Sequence, residues 1–342
     1  MNAVDHKRGE LIGLGVGKAR PTNNMHAVYL KQYGPPGVLE CGELAKPQPT
    51  DGGVVIQVYA AGINPIDRRI RSGSLRWFLP AQFPLVLGFD VSGVVTDLGG
   101  AVSHVKPGDE VYCMLDQRHG SGYAEFAVAS ADVVAPKPAG LSHCEAAAVP
   151  LAACTALQAL RDLGGITEGH RVLINGASGG VGTFAVQLGK VFGAEVTGVC
   201  STGNVDLAKE LGADQVVDYK TQDFTRDQRK YDIVFDAVAK SSFVACRRIL
   251  KGNGRYIRTV PSPSHFLFCM LTKVWGRKHC KTIWVRPSSN DLCYLKDLIE
   301  DGKVRPIIDQ VLQLKDACRA HELSQAGHVR GKLVLQVIEP TG

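Results

Sequence analysis

The stretch that decides the fold runs Val172-Leu173-Ile174-Asn175-Gly176-Ala177-Ser178-Gly179-Gly180-Val181-Gly182. The apolar run Arg171 to Asn175 has the length of one buried strand, the glycines turn the chain, and Thr183 to Phe192 continues as a helix. Gly179 and Gly182 stand at the last two glycine positions of a dinucleotide fingerprint, with Ala177 at the first. Residues without bulk let the backbone approach a pyrophosphate, and the helix N-terminus turns unpaired N–H groups and its positive dipole end toward it. Ser178, Gly179, Gly180, Val181 and Gly182 are therefore candidate cofactor-binding residues. Glycine-rich turns also serve only to make tight corners. Here the strand before, the helix after and a second strand, Glu195 to Cys200, about 20 residues on, favour the cofactor.

The end of that second strand bears on which dinucleotide is bound. An NAD-binding strand usually ends in Asp or Glu, which accepts from the ribose 2′-hydroxyl. Here the chain runs Val199-Cys200-Ser201-Thr202-Gly203-Asn204. Ser201, Thr202 and Asn204 offer donors to a 2′-phosphate, and Tyr219 with Lys220 follows the next strand, so NADPH is expected, with NADH use left open. The competing reading is that the hydroxyls cap the helix that begins near Asn204.

Outward from the fingerprint, strands and helices alternate: a helix from Asn204 to Leu211, strands at Val216-Val217 and Ile233 to Phe235, a helix from Ser242 to Leu250, and a strand from Arg255 to Val260. Such alternation predicts a parallel sheet with helices on both faces, an α/β doubly wound domain over 148–286. From Met25 to about Ala135 short β-branched runs are broken by glycine and proline, as in a barrel-like, mostly antiparallel domain. The tail adds helices near 291–300 and 316–325 and a last strand, Lys332 to Val337, and is assigned to the first domain, giving 25–147 plus 287–342. Residues 1–24 read as a flexible N-terminal extension.

A net charge of +6 with no long like-charge block argues against a nucleic-acid arm. Ten cysteines are dispersed, with no Cys-x-x-Cys pair, so free thiols in a reducing compartment are expected rather than a disulfide scaffold or a four-thiolate zinc lobe. No apolar run is long enough to span a bilayer.

Several blocks in order resemble the medium-chain dehydrogenase/reductase superfamily, in its zinc-free quinone oxidoreductase and alkenal/enone reductase branch. They are Ala60-Ala61-Gly62-Ile63-Asn64-Pro65-Ile66-Asp67, Pro84 to Val95, Lys106 to Val111, Gly122 to Phe126, Thr155 to Leu160, the fingerprint, Leu211 to Asp214, and Gly331-Lys332-Leu333-Val334-Leu335. The resemblance implies a GroES-like β-barrel catalytic domain built from both chain ends, with a Rossmann domain inserted and the active site in the cleft between them. It places Asn64 and Asp67 beside the nicotinamide ribose, Thr155 near the carboxamide, and Lys332 among the cofactor-binding residues. Zinc-dependent members carry a cysteine at Asn64 and a His-Glu pair at Phe89-Asp90, so neither soft nor imidazole ligand is supplied here, and no metal site is expected. NADPH-binding relatives often carry arginine where this chain has Gly203, which leaves Lys220 as the substitute cation.

Without a Lewis acid, hydride addition to a carbon conjugated to a carbonyl is favoured over alcohol oxidation. The expected activity is NADPH-dependent reduction of an α,β-unsaturated carbonyl. Quinone reduction is the alternative enzyme reading, and an NADPH-binding redox sensor or scaffold the non-enzyme one. Tyr59 and Tyr123 are the phenols nearest the matched blocks; each is either a proton donor or a packed aromatic with a satisfied hydroxyl. Residues 265–286 are basic and aromatic without an acidic residue, and resemble the same stretch of chloroplast-envelope relatives. They suit peripheral contact with an anionic membrane or, as the competing reading, a cleft cap and the edge of a homodimer. The expected location is cytoplasmic, with an organelle as the alternative.

Overall fold

The computed structural model describes residues 23–275 and 277–339. Most of the expected extension, 1–22, lies outside the described residues, but Asn24 already opens the first strand. In chain order the first half holds β1 (Asn24–Leu30), β2 (Leu39–Ala45), β3 (Gly53–Ile63), helix α1 (Pro65–Arg71) and β4 (Leu85–Val86). β5 (Asp90–Leu98), β6 (Glu110–Met114), β7 (Phe126–Ser130), β8 (Val134–Pro136) and helices α2 (His143–Ala147) and α3 (Pro150–Gln158) follow. The middle holds β9 (Arg171–Asn175), α4 (Gly180–Val191), β10 (Glu195–Cys200), α5 (Val205–Glu210), β11 (Gln215–Asp218) and β12 (Tyr231–Asp236). Next come α6 (Phe243–Cys246), β13 (Leu250–Arg258), α7 (Pro263–Trp275) and β14 (His279–Thr282). The tail holds α8 (Ser289–Glu300), β15 (Ile308–Gln313), α9 (Ala317–Ala326) and β16 (Lys332–Gln336).

β9 to β14 form one six-stranded sheet in the order β11-β10-β9-β12-β13-β14, every pair parallel. Numbered within the unit, that order is 3-2-1-4-5-6, the doubly wound arrangement whose switch point lies between its first and fourth strands. The sheet is buried on both faces because side chains alternate along a strand. Val172 and Ile174 pack into one apolar cluster, and Leu173 between them packs into another with Val234 and Tyr256.

A second sheet runs β15-β16-β3-β5-β6-β8, with β7 also on β3, and is antiparallel except for the β15–β16 pair. β16 pairs with β3 at Leu333 opposite Ile63, so the last strand of the chain completes the sheet of the first half. α1 starts where β3 ends because Asn64 is an extended N-cap, Pro65 opens the helix, and Asp67 returns its carboxylate to the Asn64 N–H at 2.7 Å.

Two expectations need correction. The helix predicted over Ser242 to Leu250 stops at Cys246, because Leu250 is already drawn into β13 opposite Tyr231. Ladder hydrogen bonds to a neighbouring strand outweigh the local helical pattern. Residues 265–286, given no regular structure from the sequence, form most of α7 and all of β14. Apolar side chains on the exposed as well as the buried side of α7 obscure the one-sided period that would mark a helix.

A Cβ at Gly182 would lie 1.9 Å from the Gly176 carbonyl oxygen, backbone that has no rotamer to yield, whereas one at Gly203 meets nothing within 4 Å. We therefore expect Gly182→Ala to lower the urea midpoint, costing about 1–3 kcal/mol, and to abolish dinucleotide binding. Gly203→Ala should leave both unchanged. Equal midpoints for the two variants would refute the close-packing role of Gly182.

Candidate active site

The glycine loop sits at the C-terminal end of β9. Gly176 turns it at φ 90°, a left-handed value that favours glycine, and Gly179 is the extended N-cap of α4. No side chain caps that helix, so its first N–H groups remain available to an anion. This arrangement fits a dinucleotide pyrophosphate. The loop is clamped from the other half of the chain: the Gly331 N–H donates to the Ser178 carbonyl at 2.9 Å, and Gly179 and Gly331 form a parallel bridge. A Cβ at Gly180 would come within 2.9 Å of the Lys332 Cδ, so the lysine stem lies against the start of α4.

Lys332 then turns its ammonium into the interior. Its Nζ donates to the Ile63 carbonyl at 3.0 Å, to Asn64 Oδ1 at 2.5 Å and to Asp90 Oδ2 at 3.2 Å. An ammonium has three donors, and all three are satisfied. Asn64 Nδ2 donates to the same Asp90 oxygen at 2.8 Å, while Asp90 Oδ1 accepts the Leu151 N–H at the start of α3. Asp67 Oδ2 accepts from the Asn64 N–H and from the Tyr123 hydroxyl at 3.0 Å, and its Oδ1 is buried with no partner among the described residues. Asn64, Asp67, Asp90 and Lys332 are all buried. Asn64 is thus a rigid bracket between β3 and α1, and Asp67 acts through it.

The other sequence-predicted residues are dispersed more widely. Thr155 Oγ1 donates back to the Leu151 carbonyl at 2.7 Å within α3, leaving its lone pairs for a donor. Tyr59 is not brought to the network: its ring stacks on His143 at 4.6 Å between centroids. The bulge in β3 between Val58 and Ala60 sets that ring against α2, which leaves it out of the hydrogen-bonded group around Asn64. Tyr123 is there instead, fully buried and with its hydroxyl used. Burial raises its pKa well above the ordinary value, with the adjacent Asp67 charge adding to this.

At the end of β10, neither Ser201 nor Asn204 caps the following helix, so the capping reading is not what the structure holds. Asn204 Nδ2 donates to Ser178 Oγ at 3.1 Å and Ser201 Oγ at 3.2 Å, tying this strand end to the glycine loop. Thr202 is committed elsewhere, donating to Asp218 Oδ2 at 2.6 Å. That hydrogen bond is the chief cause holding the Asp218 carboxyl below its ordinary range. The sequence reading missed Asp218: it ends β11, one strand away from the position where a carboxylate is usually sought, and parallel pairing at Cys200 sets the two ends side by side. Tyr219 is exposed, and the Lys220 ammonium lies 5.7 Å from its ring centroid.

Burial raises the Asp67 carboxyl from 3.8 to about 7, against the opposing pull of the Asn64 N–H and Tyr123 hydroxyl. The folded protein therefore keeps a proton on Asp67 between roughly pH 4 and pH 7 that the unfolded chain has released. That stability is full below the unfolded value and is lost as pH rises through about 7. Asp67→Asn keeps an acceptor for both donors and should flatten this part of the profile, read as urea midpoints at pH 5 and pH 8. Parallel profiles for variant and parent would mean that Asp67 is already ionised at pH 5.

Residues 50–139 match the alcohol dehydrogenase GroES-like domain family, and residues 211–335 match the zinc-binding dehydrogenase family. The chain is 35% identical over 323 residues to the chloroplast envelope quinone oxidoreductase homolog of Arabidopsis thaliana, covering 91% of this chain and 98% of that protein. It is 35% identical over 325 residues to the human mitochondrial NAD(P)H oxidoreductase RTN4IP1, covering 83% and 82%. It is 33% identical over 328 residues to the 2-methylene-furan-3-one reductase of Solanum lycopersicum, covering 92% and 80%. Among solved structures, the quinone oxidoreductase from Coxiella burnetii superposes with a TM-score of 0.86 at 35% identity, covering 92% of this chain and all of that one. Mycobacterial Rv1454c complexed with NADPH superposes at 0.78 and 26% identity, covering 92% and all of that chain.

The zinc in the second family's description does not fit this chain's donors at the catalytic position. Asn64 and Asp90 are spent on the Lys332 ammonium, and Phe89 offers no ligand atom. A dication placed there would meet a fixed positive charge and no thiolate or imidazole.

Proposed function

This chain belongs to the medium-chain dehydrogenase/reductase superfamily, in its quinone oxidoreductase branch, and is an oxidoreductase; from that premise we propose that it reduces an α,β-unsaturated carbonyl compound with NADPH and without a catalytic zinc. The observation that carries this reading is the closed Lys332–Asn64–Asp90 network, in which two positions that the resemblance aligns with zinc ligands are hydrogen-bonded to an ammonium instead. When bound, the reduced nicotinamide supplies a hydride, which a carbon conjugated to a carbonyl accepts without prior removal of an alcohol proton. The α4 N-terminus would hold the pyrophosphate, Thr155 would offer lone pairs to the carboxamide, and the rigid Asn64 bracket would lie beside the nicotinamide ribose. The Tyr123 hydroxyl is spent on Asp67, and water is the proposed source of the proton that completes the reduction. The relative named 2-methylene-furan-3-one reductase supports the enone reading, and the relatives named quinone oxidoreductase support the alternative.

Ser201 and the Lys220 ammonium are the groups proposed to hold the 2′-phosphate, with Asp218 opposing them. The expected result with purified protein is NADPH consumption with trans-2-alkenals or a long-chain enone, yielding the saturated carbonyl. Lys220→Ala should raise the KM for NADPH about tenfold, the loss of one charge-assisted contact, and leave the KM for NADH unchanged. Turnover with quinones alone would replace the enone reading, and equal effects on both cofactors would remove Lys220 from the phosphate pocket.

A homodimer through α7 and β14 is part of the same proposal. Phe266, Leu267, Met270, Leu271 and Val274 make one exposed apolar face at helical spacing, and β14 ends the six-stranded sheet. No helix among the described residues is long and apolar enough to cross a membrane. Relatives named for the chloroplast and the mitochondrion support the organellar reading of location over the cytoplasmic one. Met270→Glu should convert a dimer to a monomer in sedimentation velocity. A monomeric parent that co-sediments with anionic vesicles would give this face to a membrane instead.

A further inference from the structure

Under α7, remote from the glycine loop in sequence, three side chains converge that the proposed reduction does not use. His265 and Cys269 stand four residues apart on one face of the helix, and Cys280 reaches them from β14. His265 Nε2 lies 3.4 Å from Cys269 Sγ and 3.9 Å from Cys280 Sγ, and the two sulfurs are 3.6 Å apart. His265 and Cys280 are buried and Cys269 is half-buried, so the group sits just beneath the surface with one side open.

These separations can be tested against a metal's geometry. A tetrahedral ion with sulfur at about 2.3 Å and nitrogen at about 2.0–2.1 Å places two sulfurs about 3.8 Å apart, and sulfur and nitrogen about 3.6 Å apart. The three edges taken at Nε2 fall within ~0.4 Å of those values, while Cys280 Sγ lies nearer Nδ1, at 3.5 Å, so the imidazole must turn to aim Nε2 at an ion held by both sulfurs. Thr282 Oγ1, 2.9 Å from His265 Nε2 and 3.8 Å from Cys269 Sγ, marks the side from which a fourth ligand, a water or the hydroxyl itself, would complete it.

We propose that His265, Cys269 and Cys280 form a site for one thiophilic divalent cation of the zinc class, separate from the cofactor cleft. Binding replaces two thiol protons: the dication and two S–H groups give two metal–thiolate bonds and release two protons, while neutral His265 contributes a nitrogen lone pair. Burial raises the Cys280 thiol above its ordinary value, the adjacent Cys269 adds to this, and Arg258 opposes it, so the metal must displace the proton. The ion ties the N-terminal half of α7 to the end strand of the parallel sheet, so its role is to hold that edge rather than to act on substrate.

The test uses cobalt(II) and zinc(II) with the full-length reduced protein. We expect one cobalt bound per chain, with an intense near-ultraviolet sulfur-to-cobalt band and the visible bands of a tetrahedral ion, both discharged by one equivalent of zinc. Cys269→Ser and Cys280→Ser should each weaken binding at least tenfold, and Cys293→Ser, an exposed cysteine elsewhere, should leave it intact. A second measurement on the unmodified chain avoids any variant that folds poorly: zinc should slow alkylation of Cys269 at least tenfold. Absence of the sulfur band, its survival in the Cys269→Ser/Cys280→Ser double variant, or no protection of Cys269 would each overturn the site. So would a Cys269–Cys280 disulfide that, once reduced, yields thiols unable to bind cobalt, since the pair would then be a redox couple.

Discussion

The buried Lys332 ammonium joins the two ends of the chain at the point where the active site must be rigid. An unpaired ammonium at that depth would cost several kcal/mol, so the fold holds together there only if three acceptors arrive at once. They come from the end of β3, from Asn64 and from the first residue of β5. Because Gly331 also bridges to Gly179, the same short segment fixes the glycine loop against the antiparallel sheet. The cofactor-binding half and the opposite wall of the cleft are thereby set by one strand, β16.

The network also explains how polar residues with no exposed atoms influence the chemistry. Among the described residues the Asp67 carboxyl is hydrogen-bonded only to the Asn64 N–H and the Tyr123 hydroxyl, and it closes the capping box that begins α1 at Asn64. Its neighbourhood is unusually poor in partners. His321 and the Arg71 Nε and Nη1 are buried nearby with no hydrogen bond among the described residues, and burial together with Arg71 and Arg68 lowers the histidine to about 3. A neutral imidazole packed edge-on to Tyr123 is consistent with that value.

Much of this was legible in the chain itself wherever the cause is local. The fingerprint loop, the strands on either side of it and the helix it opens are set by neighbours within a few residues, through side-chain size, backbone freedom and apolar period. The presence of Ser201 and Asn204 at the strand end was equally local. Their partners were not, since Asn204 reaches Ser178 across the sheet and Thr202 is taken by Asp218 on the adjoining strand.

The tertiary structure alone decided the contacts between residues far apart in the chain. Asn64, Asp90 and Lys332 meet over separations of up to 268 residues, and His265, Cys269 and Cys280 meet because a helix folds back on its own strand. Tertiary packing likewise set the Tyr59 ring on His143 and put Tyr123 beside Asp67. Sequence determined the fold class, the cofactor loop and the residue types available for chemistry, because those depend on short-range sterics and hydrophobic period. Which polar groups face one another depends on strand order and on the cost of leaving a buried charge unpaired, and these are settled only when the whole core closes.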